Sequence, residues 1–123
     1  MQKQFVAFGF ALLGVLAVAV RVEAHAFFDR AEPRVGSKVT KAPIEVRVWF
    51  SEAVRASVSS IQVFDVSGKQ VDKRDTHSAG ANRAILCVSL VPALTAGTYK
   101  VIWRVTSMDT HVTDGDFCFQ IVP

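Results

Sequence analysis

Ile44-Glu45-Val46-Arg47-Val48-Trp49-Phe50 sets the fold class, because the apolar residues Ile44, Val46, Val48 and Phe50 alternate with Glu45, Arg47 and Trp49. Successive side chains of a strand point to opposite faces, so this stretch has one face for a core and one for solvent. The same period of two recurs over residues 58–65, 83–90, 98–106 and 116–122, and residues 34–40 read as an edge strand between Pro33 and Pro43. Ser67-Gly68, Gly80-Ala81-Asn82, Ala96-Gly97 and Asp114-Gly115 separate these runs with the residue types that turns require. Helical periodicity is not convincing anywhere after residue 24. The pattern predicts an all-β domain, an immunoglobulin-like Greek-key β-sandwich of about seven strands, with a small barrel as the alternative closure. Trp49 and Trp103 are expected as core or core-edge bulk, and residues 67–82, charged and rich in small side chains, as an exposed connection.

Working outward, residues 1–24 read as an export signal rather than as part of the fold. Lys3 supplies a positive start, and residues 5–20 form an apolar and glycine run shorter than the ~20 residues a membrane span needs. The run ends at Arg21, and Val22-Glu23-Ala24 resembles a peptidase site, so cleavage after Ala24 would make His25 the first residue. An uncleaved N-terminal anchor is the other reading. Residues 25–123 suit one domain, large enough to bury a two-layer core without metal or disulfide staples. They keep twelve of the fourteen Lys and Arg and ten of the eleven Asp and Glu, a net charge near +2. That charge is spread along the chain without a basic run, which gives nucleic-acid binding no support. Cys87 and Cys118 form an even pair in an exported chain, which favours a disulfide. Alternation opposes it, since both cysteines fall on the outward phase of their strands and would bridge only as neighbours in one sheet.

The chemistry-bearing residues cluster at two places. A histidine at an N-terminus offers its α-amine and its imidazole to one metal, a chelate no internal histidine can form. The unperturbed amine has a pKa of ~7.7–8.0, within reach of a metal that competes well for nitrogen. Cu(II) is that metal among the divalent first-row ions, by affinity order and by its preference for tetragonal N and O ligands. The second place is Ser107-Met108-Asp109-Thr110-His111. In an extended segment residues two apart share a face, so Asp109 and His111 would project together and complete a set with His25. Taken alone, a D-x-H in a polar loop is more often a histidine oriented by a carboxylate than a ligand pair.

An ordered series of motifs resembles the CopC family of periplasmic copper-resistance proteins. It runs from His25 through Ala31-Glu32-Pro33, Val35-Gly36-Ser37, Val48-Trp49-Phe50-Ser51-Glu52-Ala53-Val54, Leu94-Thr95-Ala96-Gly97-Thr98-Tyr99 and Trp103-Arg104-Val105 to Ser107–His111 and Gly115-Asp116-Phe117. The resemblance implies an immunoglobulin-like sandwich that binds Cu(II) in the periplasm and acts with an inner-membrane copper-transport partner of the CopD type. It also implies ligands at His25, through amine and imidazole, at Asp109 and at His111. Glu52 is similar to a family glutamate placed beside the Cu(II) site, as a weak or outer ligand. One branch of the family carries a methionine-rich loop for Cu(I), and this chain departs from it. After residue 24 the sole methionine is Met108, and residues 64–80 hold only His77, read as a solvated histidine, so a single Cu(II) site is expected. Met108 is expected to point away from the ligand pair.

Two other functions stand against copper binding without turnover. Copper monooxygenases that attack polysaccharides also pair an N-terminal histidine with a second histidine, but oxygen activation needs an open coordination position, which a shared aspartate disfavours. A plain sandwich interaction module is the third reading, since sandwiches host many functions.

Overall fold

The computed structural model describes residues 25–123, so the export signal read in residues 1–24 and its cleavage after Ala24 lie outside the described residues. Eight strands follow in chain order: β1 (Phe28–Glu32), β2 (Lys38–Val39), β3 (Glu45–Phe50), β4 (Ser60–Phe64), β5 (His77–Ala79), β6 (Asn82–Ser89), β7 (Gly97–Thr106) and β8 (Val112–Ile121). A single 3-10 turn, Ala56–Val58, precedes β4. Two four-stranded sheets face each other, in the orders β1-β3-β6-β5 and β2-β8-β7-β4. They remain separate sheets, a sandwich and not a barrel. All pairings are antiparallel except that of β2 with β8.

Alternation explains the core. Val46, Val48 and Phe50 of β3 and Leu86 and Val88 of β6 turn inward against Ile61 and Val63, Val101, Trp103 and Val105, and Phe117, Phe119 and Ile121 of the second sheet. Burying one such side chain fully contributes about 1.5–3 kcal/mol, so this interdigitated row carries most of the driving force for folding. β7 keeps strict period two, with Tyr99, Val101, Trp103 and Val105 buried and their neighbours exposed. Ser107, two positions further, continues the inward row at only 1 % exposure.

Several expectations change. The edge strand expected over residues 34–40 shrinks to Lys38–Val39, while β1 and β5, which lack a long alternating run, add one edge each to the first sheet. The connection expected to be exposed over residues 67–82 instead buries Val71 and Asp72. Asp72 accepts the Val63 amide at 2.8 Å and the Arg74 amide at 3.0 Å, so a buried carboxylate holds this segment on the sandwich. Trp103 is core, but Trp49 lies half-buried on the outer face of the first sheet, with the Arg30 guanidinium 3.9 Å from its ring centre. Cys87 and Cys118 are both free and belong to different sheets, which removes the one arrangement that could have bridged them. Cys118 is exposed as alternation requires; Cys87 is buried between Arg47 and His77 in register, and that burial, with Glu45 nearby, pushes its thiol pKa up.

Candidate metal centre

The site forms where one end of the sandwich is closed by the β7–β8 hairpin and crossed by residues 25–27. Ala26 is buried at 1 % exposure, a small side chain wedged into the core end, and its carbonyl accepts the Thr113 hydroxyl of β8 at 2.7 Å. On the other sheet, Ser51, directly after β3, donates its amide to the Phe27 carbonyl at 2.8 Å. The Ser51 hydroxyl accepts the Phe27 amide at 2.9 Å and donates to the His25 carbonyl at 3.3 Å. The N-terminal segment is thus tied to both sheets, and His25 is delivered beside the hairpin.

The hairpin loop is tight. The Ser107 amide donates to the His111 carbonyl and the Thr110 amide to the Ser107 carbonyl, both at 2.9 Å, and Thr110 adopts a positive φ of 67°. The sequence reading assumed an extended segment; a turn brings Asp109 and His111 together instead. Asp109 Oδ2 lies 3.1 Å from His111 Nδ1, the side chains being 30 % and 49 % exposed respectively. The Ser107 hydroxyl donates to the other carboxylate oxygen, Asp109 Oδ1. That bond, with His111 as a smaller contributor, holds the Asp109 carboxyl below its ordinary pKa, so it stands ready as an anion well into mild acid. The imidazoles of His25 and His111 face each other at 4.2 Å between ring centres.

One donor atom from each of His25, Asp109 and His111 lies within 4.8 Å of the other two, a spacing that one small metal ion can span. Glu52 is exposed and falls outside this trio, although Ser51, its neighbour, touches the His25 backbone. His77 is exposed as expected, but on strand β5 rather than in a loop, with Nδ1 2.6 Å from the Asp75 carbonyl oxygen. Met108 stays 40 % exposed, not packed in the core, and lines a groove with Val54, Arg55 and Arg83 that none of the trio lines. The supporting residues Ser51, Ser107 and Thr113 carry no metal-binding signature, and sequence reasoning assigned them no role. Only the phase of Ser107, on the inward row of β7, could have drawn attention to it.

The CopC domain profile matches residues 28–122. This chain belongs to the CopC domain family. Among the proteins it is similar to, the Escherichia coli K12 protein YobA is 29 % identical over 114 residues, covering 93 % of this chain and 92 % of YobA. The copper transport protein CutJ of Bacillus subtilis is 31 % identical over 98 residues, which cover 80 % of this chain but only 18 % of CutJ. The crystal structure of CopC from Methylosinus trichosporium OB3b has a TM-score of 0.75 at 30 % identity, covering 80 % of this chain and 95 % of that one. The sandwich is therefore shared with a solved CopC structure. Among the described residues, no helix is long and apolar enough to cross a membrane.

Proposed function

We propose that this protein is a periplasmic copper carrier that binds one Cu(II) at His25, Asp109 and His111, without turnover, and passes it to an inner-membrane copper transporter of the CopD type. The observation that carries the reading is the convergence of those three side chains, within 4.8 Å, at one end of a CopC-family sandwich. The donor chemistry fits: imidazole nitrogens and a carboxylate oxygen suit Cu(II), and the described residues offer no thioether cluster that would suit Cu(I). Cleavage after Ala24 adds the His25 α-amine as a fourth donor and converts three ligands into a chelating four. A likeness to one segment of a longer protein named for copper transport supports a transporter as the recipient.

The test is a Cu(II) titration of protein beginning at His25, against the same protein with one residue added before it. One equivalent binds the first form; the extension weakens binding by more than the roughly 10–100-fold typical of losing an outer partner of a ligand. Equal affinity of the two forms removes the amine from the site, and no binding by either removes the copper reading.

A further inference from the structure

The two oxygens of Asp109 do different things, and the residue that divides them sits in the core. Ser107 and Asp72 are the buried polar residues among those described, and Ser107 is placed there by the alternation of β7, after Tyr99, Val101, Trp103 and Val105. Its backbone pairs with Val54 in an isolated bridge and with His111 through the 2.9 Å amide bond, so its Cβ direction is fixed from two sides. Its hydroxyl reaches Asp109 Oδ1, with the His111 carbonyl oxygen as a longer neighbour at 3.2 Å. Asp109 Oδ2 is left facing His111 Nδ1. Outside the loop, the Arg55 guanidinium donates to the Met108 carbonyl at 3.1 Å and the Arg55 amide to the Thr106 carbonyl at 2.8 Å, so the residues on both sides of Ser107 are braced as well.

We propose that Ser107 is a positioning residue that restricts Asp109 to one donor oxygen, by occupying Oδ1 from the core side and leaving only Oδ2 for the ion. The inference rests on the metal reading above and deepens it. A carboxylate free to bind through both oxygens suits a large cation of high coordination number such as Ca2+, whereas one confined to a single oxygen suits a tetragonal N and O set. Strand geometry does not impose this by itself, because Asp109 lies between the end of β7 at Thr106 and the start of β8 at Val112. A buried hydroxyl, anchored in the core row, supplies the missing constraint.

The experiment compares Ser107→Ala, which removes the hydroxyl and leaves the backbone bonds, with Ser107→Thr, which keeps it, in protein beginning at His25. In the copper-free state, the imidazole 15N shifts of His111 should move in S107A as its Asp109 partner loses orientation, and stay near wild type in S107T. With Cu(II), S107A should bind roughly 10–100-fold more weakly, the usual loss on removing an outer partner of a ligand, and its electron paramagnetic resonance parameters should change. Circular dichroism checks that both variants keep the sandwich. Unchanged His111 shifts in S107A overturn the positioning role whatever copper does. Unchanged affinity and spectrum in S107A, with wild type binding one Cu(II), overturn the single-oxygen assignment alone. A wild type that binds no Cu(II) removes the metal reading, while the copper-free shifts still decide whether Ser107 orients Asp109.

Discussion

Asp65 and Asp109 each sit in a short polar loop, and each takes a hydrogen bond from a serine two residues away. In the loop after β4, Asp65 Oδ1 collects the Ser67 amide at 3.0 Å, the Ser67 hydroxyl at 2.7 Å and the Lys69 amide at 2.9 Å. Its serine is exposed, and the loop closes the carboxylate on its own backbone. In the β7–β8 loop the serine comes first, is buried in the core, and grips one oxygen while the other faces an imidazole. The same two residue types close a turn in one place and present a carboxylate oxygen to the candidate metal trio in the other. What differs is where the hydroxyl is anchored: a serine fixed by core packing can hold an acid outward, whereas a serine on the surface can only fold the loop around it.

The largest expected effect separates these two loops. His111→Ala removes the imidazole that faces Asp109 and His25, and Cu(II) affinity should fall by more than about 100-fold, above the range for losing an outer partner. Asp65→Asn, equally a change in a carboxylate–serine loop, should leave the affinity at the wild-type value. Competition with a chelator of known strength measures both. Equal losses in the two variants would mean that copper binding follows loop integrity in general and not the trio.

A second expectation concerns the hairpin beneath the site. Gly115 of β8 lies opposite Trp103 of β7, and a methyl group built on it would stand 2.6 Å from the indole Cζ2. Gly115→Ala forces the Trp103 ring out of its place over the backbone, which should destabilise the fold by about 1–3 kcal/mol, as overpacked sites do. Urea unfolding measures it. Below the transition the variant should still bind one Cu(II), because the loop above is braced separately by Ser107 and Arg55. Loss of binding while the sandwich stays folded would show that the site depends on the hairpin's strand pairing.

β3 and β7 were legible because their burial is one-sided and alternates without a break, and both were located to within a residue or two, whereas β8 begins at Val112 and runs through Asp114-Gly115, whose residue types read as a turn before residue 116. β1 and β5 were not, since short edge strands such as His77–Ala79 take their conformation from pairing with a neighbour rather than from a period of their own. Asp72 hid for a related reason. A buried carboxylate in a charged segment looks like solvent-facing polarity until the Val63 amide that it accepts is known. At the candidate site, His25, Asp109 and His111, singled out by residue type, do converge, but through a turn rather than the assumed extended geometry, and Glu52 lies outside the trio. Ser51 and Thr113 were invisible because they act on backbone carbonyls of a segment more than twenty residues away in the chain.

The smallest expected effect is on acid stability. The Ser67 hydroxyl, the Lys69 amide and the Ser67 amide hold the Asp65 carboxyl below its ordinary value of 3.8. A carboxylate with a depressed folded pKa contributes stability that is fully present above the ordinary value and disappears as pH falls through the folded one. Asp65→Asn lacks that contribution at every pH. At neutral pH its melting temperature should therefore lie below wild type, and the gap should narrow once the pH falls below about 3.8 and close as the wild-type carboxylate protonates at its lowered pKa. Thermal melts at a series of pH values measure this. A gap that persists unchanged into strong acid would mean that the substitution acts through the shape of the turn and not through its charge, and the contrast with Asp109 would then rest on geometry alone.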